Sequence, residues 1–226
     1  FPLFGYNLKD YEALFDEKLD LLQLANESTQ VNWQGQLTQS IAGKEVYPRP
    51  VQRKLPLWVA TGGHVESTVK IAQAGLPIVY AIIGGNPRYF KKLIQAYREI
   101  GRGAGYADKD LKVGAHSWGW IDEDGEQAVK DYFHPTKQVV DAISKDRPHW
   151  QELTYEQYLE QVGPNGAMFV GNPDQVAEKL IHMIEDLDLD RFMLHLPLGS
   201  MPHDQVLRAI ELFGTQVAPK VRAYFA

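Results

Sequence analysis

The chain has 226 residues, 44% of them hydrophobic, and 23 Lys plus Arg against 29 Asp plus Glu, a net charge of −6. It contains no Cys, which excludes a disulfide framework, thiolate metal ligands and a Cys nucleophile, and makes a reducing cytoplasm the expected location. The acidic balance with scattered Lys and Arg argues against a nucleic-acid partner. No apolar run approaches the roughly 20 residues that span a bilayer, so no membrane partner is expected either.

The chain opens on Phe1-Pro2-Leu3-Phe4-Gly5-Tyr6, an aromatic start where exposed polar residues are the rule, and it reads as an interior segment of something longer. Residues 9–25 place Tyr11, Leu14, Phe15, Leu19, Leu21 and Leu22 near the helical period with acids between them, which predicts an amphipathic helix. Residues 31–52 alternate short β-prone pieces with Asn, Gly and Pro and predict a hairpin or excursion that ends at Pro48 and Pro50.

A repeating alternation begins at residue 55. Apolar runs at 55–61, 77–83, 112–121 and 191–196 have strand length, and each precedes a helical pattern: 65–74, 87–100, from 125 or 126, and from 203 onward. Strands apolar on both faces that alternate with helices predict parallel βα units. Residues 146–172 stand between the third and fourth units as an insertion, followed by a helix over 173–187 with Asn172 as N-cap and Pro173 in its first turn.

The clearest chemical signal is Thr61-Gly62-Gly63-His64-Val65-Glu66-Ser67-Thr68, a strand running through glycines into a helix start. Unpaired backbone N–H groups and the positive end of the helix dipole make such a turn an anion site, to which Ser67 and Thr68 would add hydroxyls; a plain tight loop fits the same residues. Gly84-Gly85 repeats the arrangement after the second strand. Gly101-Arg102-Gly103-Ala104-Gly105 follows a helix instead, and reads as a C-cap and link. His116 and His195 lie within predicted strands, either as acid–base groups at a sheet mouth or as packed core imidazoles. Trp118, Trp120 and Phe169 would wall a flat heterocycle or simply fill the core. His64 borders the glycine turn, while His134, His149, His182 and His203 read as surface groups, and Asp122, Asp124, Glu185 and Asp190 as solvated faces and caps. No GxSxG, GxxxxGK[ST], DxDxDG or HExxH string occurs, which removes serine hydrolases of the elbow type, P-loop NTPases and EF-hands, and no metal is expected.

Five segments in order, FPLFGYNLKDYEALFDEKLDLL, YPRPVQRKLPLWVATGGHVEST, AGLPIVYAIIGGNP, FVGNPDQVAEKLIHMIEDLDLDRF and LRAIELFGTQVAPKVR, make the chain similar to the luciferase-like family of flavin-dependent monooxygenases and oxidoreductases. The resemblance implies a (β/α)8 TIM barrel, of which residues 1–226 would be one N-terminally incomplete domain covering the second half, strands five to eight. It implies reduced FMN, or a deazaflavin, reacting with O2 and a small organic substrate. By position, Glu66 and Ser67 would hold the flavin phosphate. Thr61, Gly62 and Gly63 would line the preceding turn, and Gly84 and Gly85 the next mouth loop, with His116, Trp118 and His195 on the isoalloxazine or substrate side. The family's Gly-Arg-Gly stretch and early strands would precede Phe1. Activity is therefore expected to need that half, or a homo-oligomer, and possible supply by a flavin reductase. Two other readings stand beside it: a non-catalytic flavin-binding or structural half-barrel completed by association, and an aldolase- or isomerase-like phosphate barrel. The last expects Lys or Glu at a strand's C-terminal end, whereas Lys112 starts a strand.

Overall fold

A computed structural model describes residues 1–147 and 150–226. The chain divides into two compact units, Phe1–Leu57 and Trp58–Ala226.

In the first unit, 3-10 turns at Pro2–Phe4 and Leu8–Asp10 lead into helix α1, Tyr11–Glu27. Asn7 accepts a hydrogen bond from the Lys9 N–H, so the first predicted helical residues form a capped turn and α1 starts two residues later than the periodicity suggests. Strands β1, Gln30–Trp33, and β2, Ile41–Glu45, pair antiparallel, as the hairpin expectation required. Two side chains fasten this hairpin. The Glu17 carboxylate accepts from the N–H groups of Gln36 (3.0 Å), Leu37 (2.9 Å) and Thr38 (2.9 Å) and from the Thr38 hydroxyl. Arg49 donates to the carbonyls of Ala25, Asn26 and Ser28, satisfying acceptors that the end of α1 leaves unpaired.

The second unit runs β3 (Val59–Thr61), α2 (Val65–Gln73), β4 (Ile78–Ala81), α3 (Phe90–Gly103), β5 (Val113–Ile121) and α4 (Gly125–Asp146). It continues α5 (Tyr155–Val162), β6 (Phe169–Gly171), α6 (Pro173–Leu187), β7 (Arg191–His195), α7 (His203–Leu212) and, after a π-turn at Phe213–Val217, α8 (Ala218–Tyr224). All five strands are parallel. The long central β5 pairs with β4 (Ala81 opposite His116), with β7 (Trp118 opposite His195) and, through its last three residues, with β6. Among the described residues the sheet is open rather than closed into a barrel.

Several boundaries move from their sequence expectations. Residues 55–57 do not enter the sheet, because Pro56 has no N–H for a ladder, and β4 starts only after Pro77 for the same reason. The stretch 146–172 holds a helix and a fifth strand, β6, whose three residues are too short to show a period. Pro87–Tyr89 forms a 3-10 turn before α3, and α3 continues through Gly101 and Gly103, so these glycines lie in its last turn rather than in a link. Leu111 packs against Gly101 so closely that a Cβ there would sit 2.4 Å from a Leu111 methyl. The Pro148–His149 part of the insertion, including the surface role expected of His149, lies outside the described residues.

Register and the two-residue period of strands put Ala60, Val79, Ala81, His116, Trp118, Met193 and His195 on one face of the sheet. Tyr80, on the other face, reaches Thr68 of α2. Helices α2, α4, α6 and α7 pack against the strands. Ile78, Ile82, Leu111 and Phe169 are fully buried, each contributing about 1.5–3 kcal/mol of hydrophobic stabilisation.

Candidate functional site

Parallel strands bring their C-terminal ends to one edge, and most of the residues singled out in the sequence lie along it. In the β3–α2 turn, Thr61 Oγ1 accepts from the Gly63 N–H at 3.3 Å. Gly63 adopts φ 99°, and a Cβ there would meet the Phe90 ring at 2.8 Å, so a side chain is disfavoured by both conformation and space. His64 caps α2 through its extended backbone alone, without a side-chain hydrogen bond. The first helical bond runs from the Thr68 N–H to the His64 carbonyl at 3.0 Å, which leaves the N–H groups of Val65, Glu66 and Ser67 without intrahelical acceptors. Three donors and a helix dipole converge there, next to Gly62, around whose Cα there is open space. Glu66 is exposed and Ser67 half-buried.

Thr68 departs from its sequence expectation as a ligand hydroxyl. Its Oγ1 donates to the His64 carbonyl at 3.0 Å and lies 3.2 Å from the Tyr80 hydroxyl in the core. Burial pushes the Tyr80 phenol up to about 12, against the opposing effect of the Thr68 bond, and the Phe90 ring meets Tyr80 edge-on at 5.5 Å. The β3–α2 turn is therefore built on a fully packed layer.

Gly84 and Gly85 follow β4 and border a cavity of about 450 Å³, within the range of small-molecule sites. Trp118, 5% exposed, forms part of the same wall, with Ile83, Val140, Leu153 and Met168. One strand pairing away, the His116 and His195 rings stand 5.4 Å apart between centroids. Burial, and secondly the nearby charge of His195, holds the His116 imidazole below its ordinary value. The structure thus gathers Gly84, Gly85 and Trp118 at one cavity and His116 with His195 beside it. Thr61, Gly62, Gly63, Glu66 and Ser67 form the separate β3–α2 turn. Trp120 and Phe169 resolve toward the core alternative: Trp120 stacks on Tyr132 at 6.0 Å and Phe169 packs on Phe192 at 4.9 Å.

Lys179 was missed in sequence. Its Nζ donates to the carbonyls of Val162 (2.9 Å), Gly163 (2.6 Å) and Met168 (2.6 Å), with Gln161 at 3.4 Å, and burial pushes its ammonium down to about 7. It fastens the end of α5, and with it Gln161 and Met168 of the cavity wall, to α6. The signal was its position, three residues after Val176 and four before Met183, both on the buried stripe of α6. Asp124 caps α4, the capping role expected of it, whereas Asp190 accepts from the Val113 N–H at the start of β5 at 2.8 Å and caps no helix. His182 is exposed, and His134 lies on α4 within 3.2 Å of the Gln138 amide. Among the described residues no three His, Cys, Asp or Glu side chains converge as a metal site, and no helix is long and apolar enough to cross a membrane.

The second unit thus combines an α/β fold with a parallel sheet, a glycine turn feeding a helix N-terminus, and a cavity lined by Gly84, Gly85 and Trp118. A model of the luciferase-like monooxygenase family matches residues 1–190, and the chain belongs to that family. Among individual proteins it is 22% identical over 232 residues to the uncharacterized protein y4vJ of Sinorhizobium fredii, covering 98% of this chain and 65% of the relative. It superposes on the monooxygenase RslO1 of Streptomyces bottropensis with a TM-score of 0.80 at 19% identity, covering 100% of this chain and 65% of that one. The coenzyme F420-dependent tetrahydromethanopterin reductase of Methanopyrus kandleri gives a TM-score of 0.62 at 16% identity, over 92% of this chain and 62% of the other. Solved structures with this fold also include a riboflavin lyase with modified FMN and a type II Baeyer-Villiger monooxygenase of Pseudomonas putida in complex with FMN. The chain thus spans slightly less than two thirds of the length of these relatives.

Proposed function

We propose that this chain is the second half of a (β/α)8 barrel, with β3, β4, β5 and β7 as strands five to eight and β6 as an extra short strand of the insertion, from a flavin-dependent monooxygenase that uses reduced FMN and O2 on a small organic substrate. The observation that carries the reading is the β3–α2 turn, where the N–H groups of Val65, Glu66 and Ser67 lack intrahelical acceptors beside two glycines. That donor set fits a flavin phosphate: backbone N–H groups and a helix dipole hold an anion, and Gly62 and Gly63 permit close approach. When bound, the reduced flavin supplies the electrons that activate O2. The protein's own contribution lies in orientation and exclusion of water. Gly84, Gly85 and Trp118 border the cavity assigned to the reaction, with Ile83, Leu153 and Met168 as its apolar walls. His116 and His195, paired ring to ring, hold or move a proton at their ring nitrogens.

The open sheet favours a second element of the reading. Strand edges without partners are relieved by association, here with an N-terminal half of the barrel or with another copy of the chain. A cytoplasmic location and a flavin reductase as electron source complete the proposal. A non-catalytic half-barrel that only binds flavin differs by lacking turnover once the first half is supplied.

Titration of FMN and of coenzyme F420 into the chain, with and without an N-terminal half taken from a relative, followed by Trp fluorescence and visible absorbance, tests this. FMN is expected to bind, and Ser67→Ala to weaken it by about 1–2 kcal/mol, the loss of one hydrogen bond to a charged group. An unchanged dissociation constant in Ser67→Ala removes the phosphate assignment. Indifference to both cofactors in both preparations removes the flavin reading.

A further inference from the structure

We infer that the cavity beside Gly84 and Gly85 takes a hydrophobic molecule without negative charge and favours one that carries an ammonium group. This deepens the oxidoreductase reading and rests on it only for calling the molecule a substrate. The apolar walls are Ile83, Trp118, Leu153 and Met168, the last three of them buried. Such walls reward an apolar body by removing it from water. Polar lining comes from glutamine amides and one carboxylate, Glu160. Two of those amides are already committed: Gln157 closes the capping box with Thr154, and the Gln161 side-chain oxygen accepts from the Ala167 N–H.

Among the described lining residues Glu160 is the one charged group, and none of them is Lys, Arg or His. Two ammonium groups approach the walls from behind, and both are spent there. Lys137 donates to the Leu153 carbonyl at 3.0 Å and pairs with Asp141 at 2.7 Å. Lys179 donates to the end of α5 and to Met168. An anion entering the cavity would give up its water and find no cation in exchange, with a carboxylate at the rim. An ammonium group meets that carboxylate in a cavity that Trp118 and Trp150 also line.

The test uses 4-phenylbutylamine, 4-phenylbutanol and 4-phenylbutyrate, which share one apolar body and differ in end-group charge. Each is titrated into the full chain without flavin, by calorimetry and Trp fluorescence. The amine should bind about threefold tighter than the alcohol, the advantage of one exposed charge pair, and the carboxylate about tenfold or more weaker than the alcohol. Glu160→Gln should bring the amine to the alcohol's affinity and leave the alcohol unchanged. Gln151→Arg, at an exposed position of the lining, should strengthen the carboxylate. Leu153→Trp, checked for its thermal midpoint, should fill the cavity and abolish all three.

Equal binding of carboxylate and alcohol, or an amine preference that survives Glu160→Gln, overturns the charge rule. Absence of binding by all three probes overturns the cavity as a site for hydrophobic ligands. Displacement of the amine by FMN in proportion to flavin binding assigns the cavity to the cofactor and overturns the substrate assignment. Failure of the flavin reading itself shows in the FMN and F420 titrations, which these probes do not require.

Discussion

His116 and His195 stand on neighbouring parallel strands with ring centroids 5.4 Å apart and planes inclined by 41°. They are not directly opposite in the ladder: His195 pairs with Trp118, and His116 with Met193. The rings meet diagonally across a single face of the sheet, so protonating either one is felt by the other.

Replacing His195 with Ala should therefore raise the midpoint of His116. Its imidazole is held low first by burial and then by His195, and the substitution removes the second cause while leaving much of the first. Histidine ring resonances followed by NMR from pH 5 to pH 8 will check this. A His116 midpoint that stays in place, or falls, would show that the two rings do not share a charge environment.

Lys179→Met should loosen the segment between α5 and β6. The ammonium serves the carbonyls of Gln161, Val162, Gly163 and Met168, and a thioether removes that donor from all four, leaving Gln161 and Gly163 with the N–H groups of Met168 and Gly166, at a cost of about 1–3 kcal/mol. Recovered desolvation opposes that loss, since burial had already driven the Lys179 ammonium down to about 7; the lost bonds to Val162 and Met168 should outweigh it. Hydrogen exchange at the amides of Gly166 and Met168, which bond Gly163 and Gln161 respectively, should accelerate. Unchanged exchange at these two amides would mean the segment is held by other contacts.

Acid should weaken the first unit through Glu17. The Thr38 hydroxyl, then the Leu37 N–H and its neighbours, hold this carboxyl down at about 2 against an ordinary 4.5. Its folded form binds its proton less readily than the unfolded chain does, so its stabilisation is complete above about pH 5 and fades as the pH falls from 4.5 toward 2. Glu17→Gln should flatten the pH dependence of unfolding in that window, read by circular dichroism during denaturant titration. Parallel curves for the two proteins would contradict this.

Much of the local architecture was legible because local residues specify it. Asn172 and Pro173 form a start signal, and α6 begins at Pro173, where the structure adds a reciprocal capping box with Gln175. Asp124 likewise marked the start of α4. The glycine turn at Gly62-Gly63 was visible because a strand-length apolar run ended directly before it. Thr68 misled because a hydroxyl in the first turn of a helix looks the same in sequence whether it faces a ligand or, as here, the Tyr80 hydroxyl beneath it. Strand β6 was invisible for a related reason: Phe169–Gly171 is extended through its ladder to the end of β5, a partner some 50 residues away in the chain.

By itself the sequence determined the order and type of the main elements outside residues 146–172, the parallel character of the sheet and the glycine turn at the start of α2, since caps, prolines and apolar periods act within a few residues. Only the tertiary structure decided that His116 meets His195, that Trp118 joins Gly84 and Gly85 at one cavity, and that Lys179 holds the end of α5. These relationships depend on strand register and on which helix covers which strand. Both are set by burying apolar surface between segments distant in the chain, which no local pattern encodes.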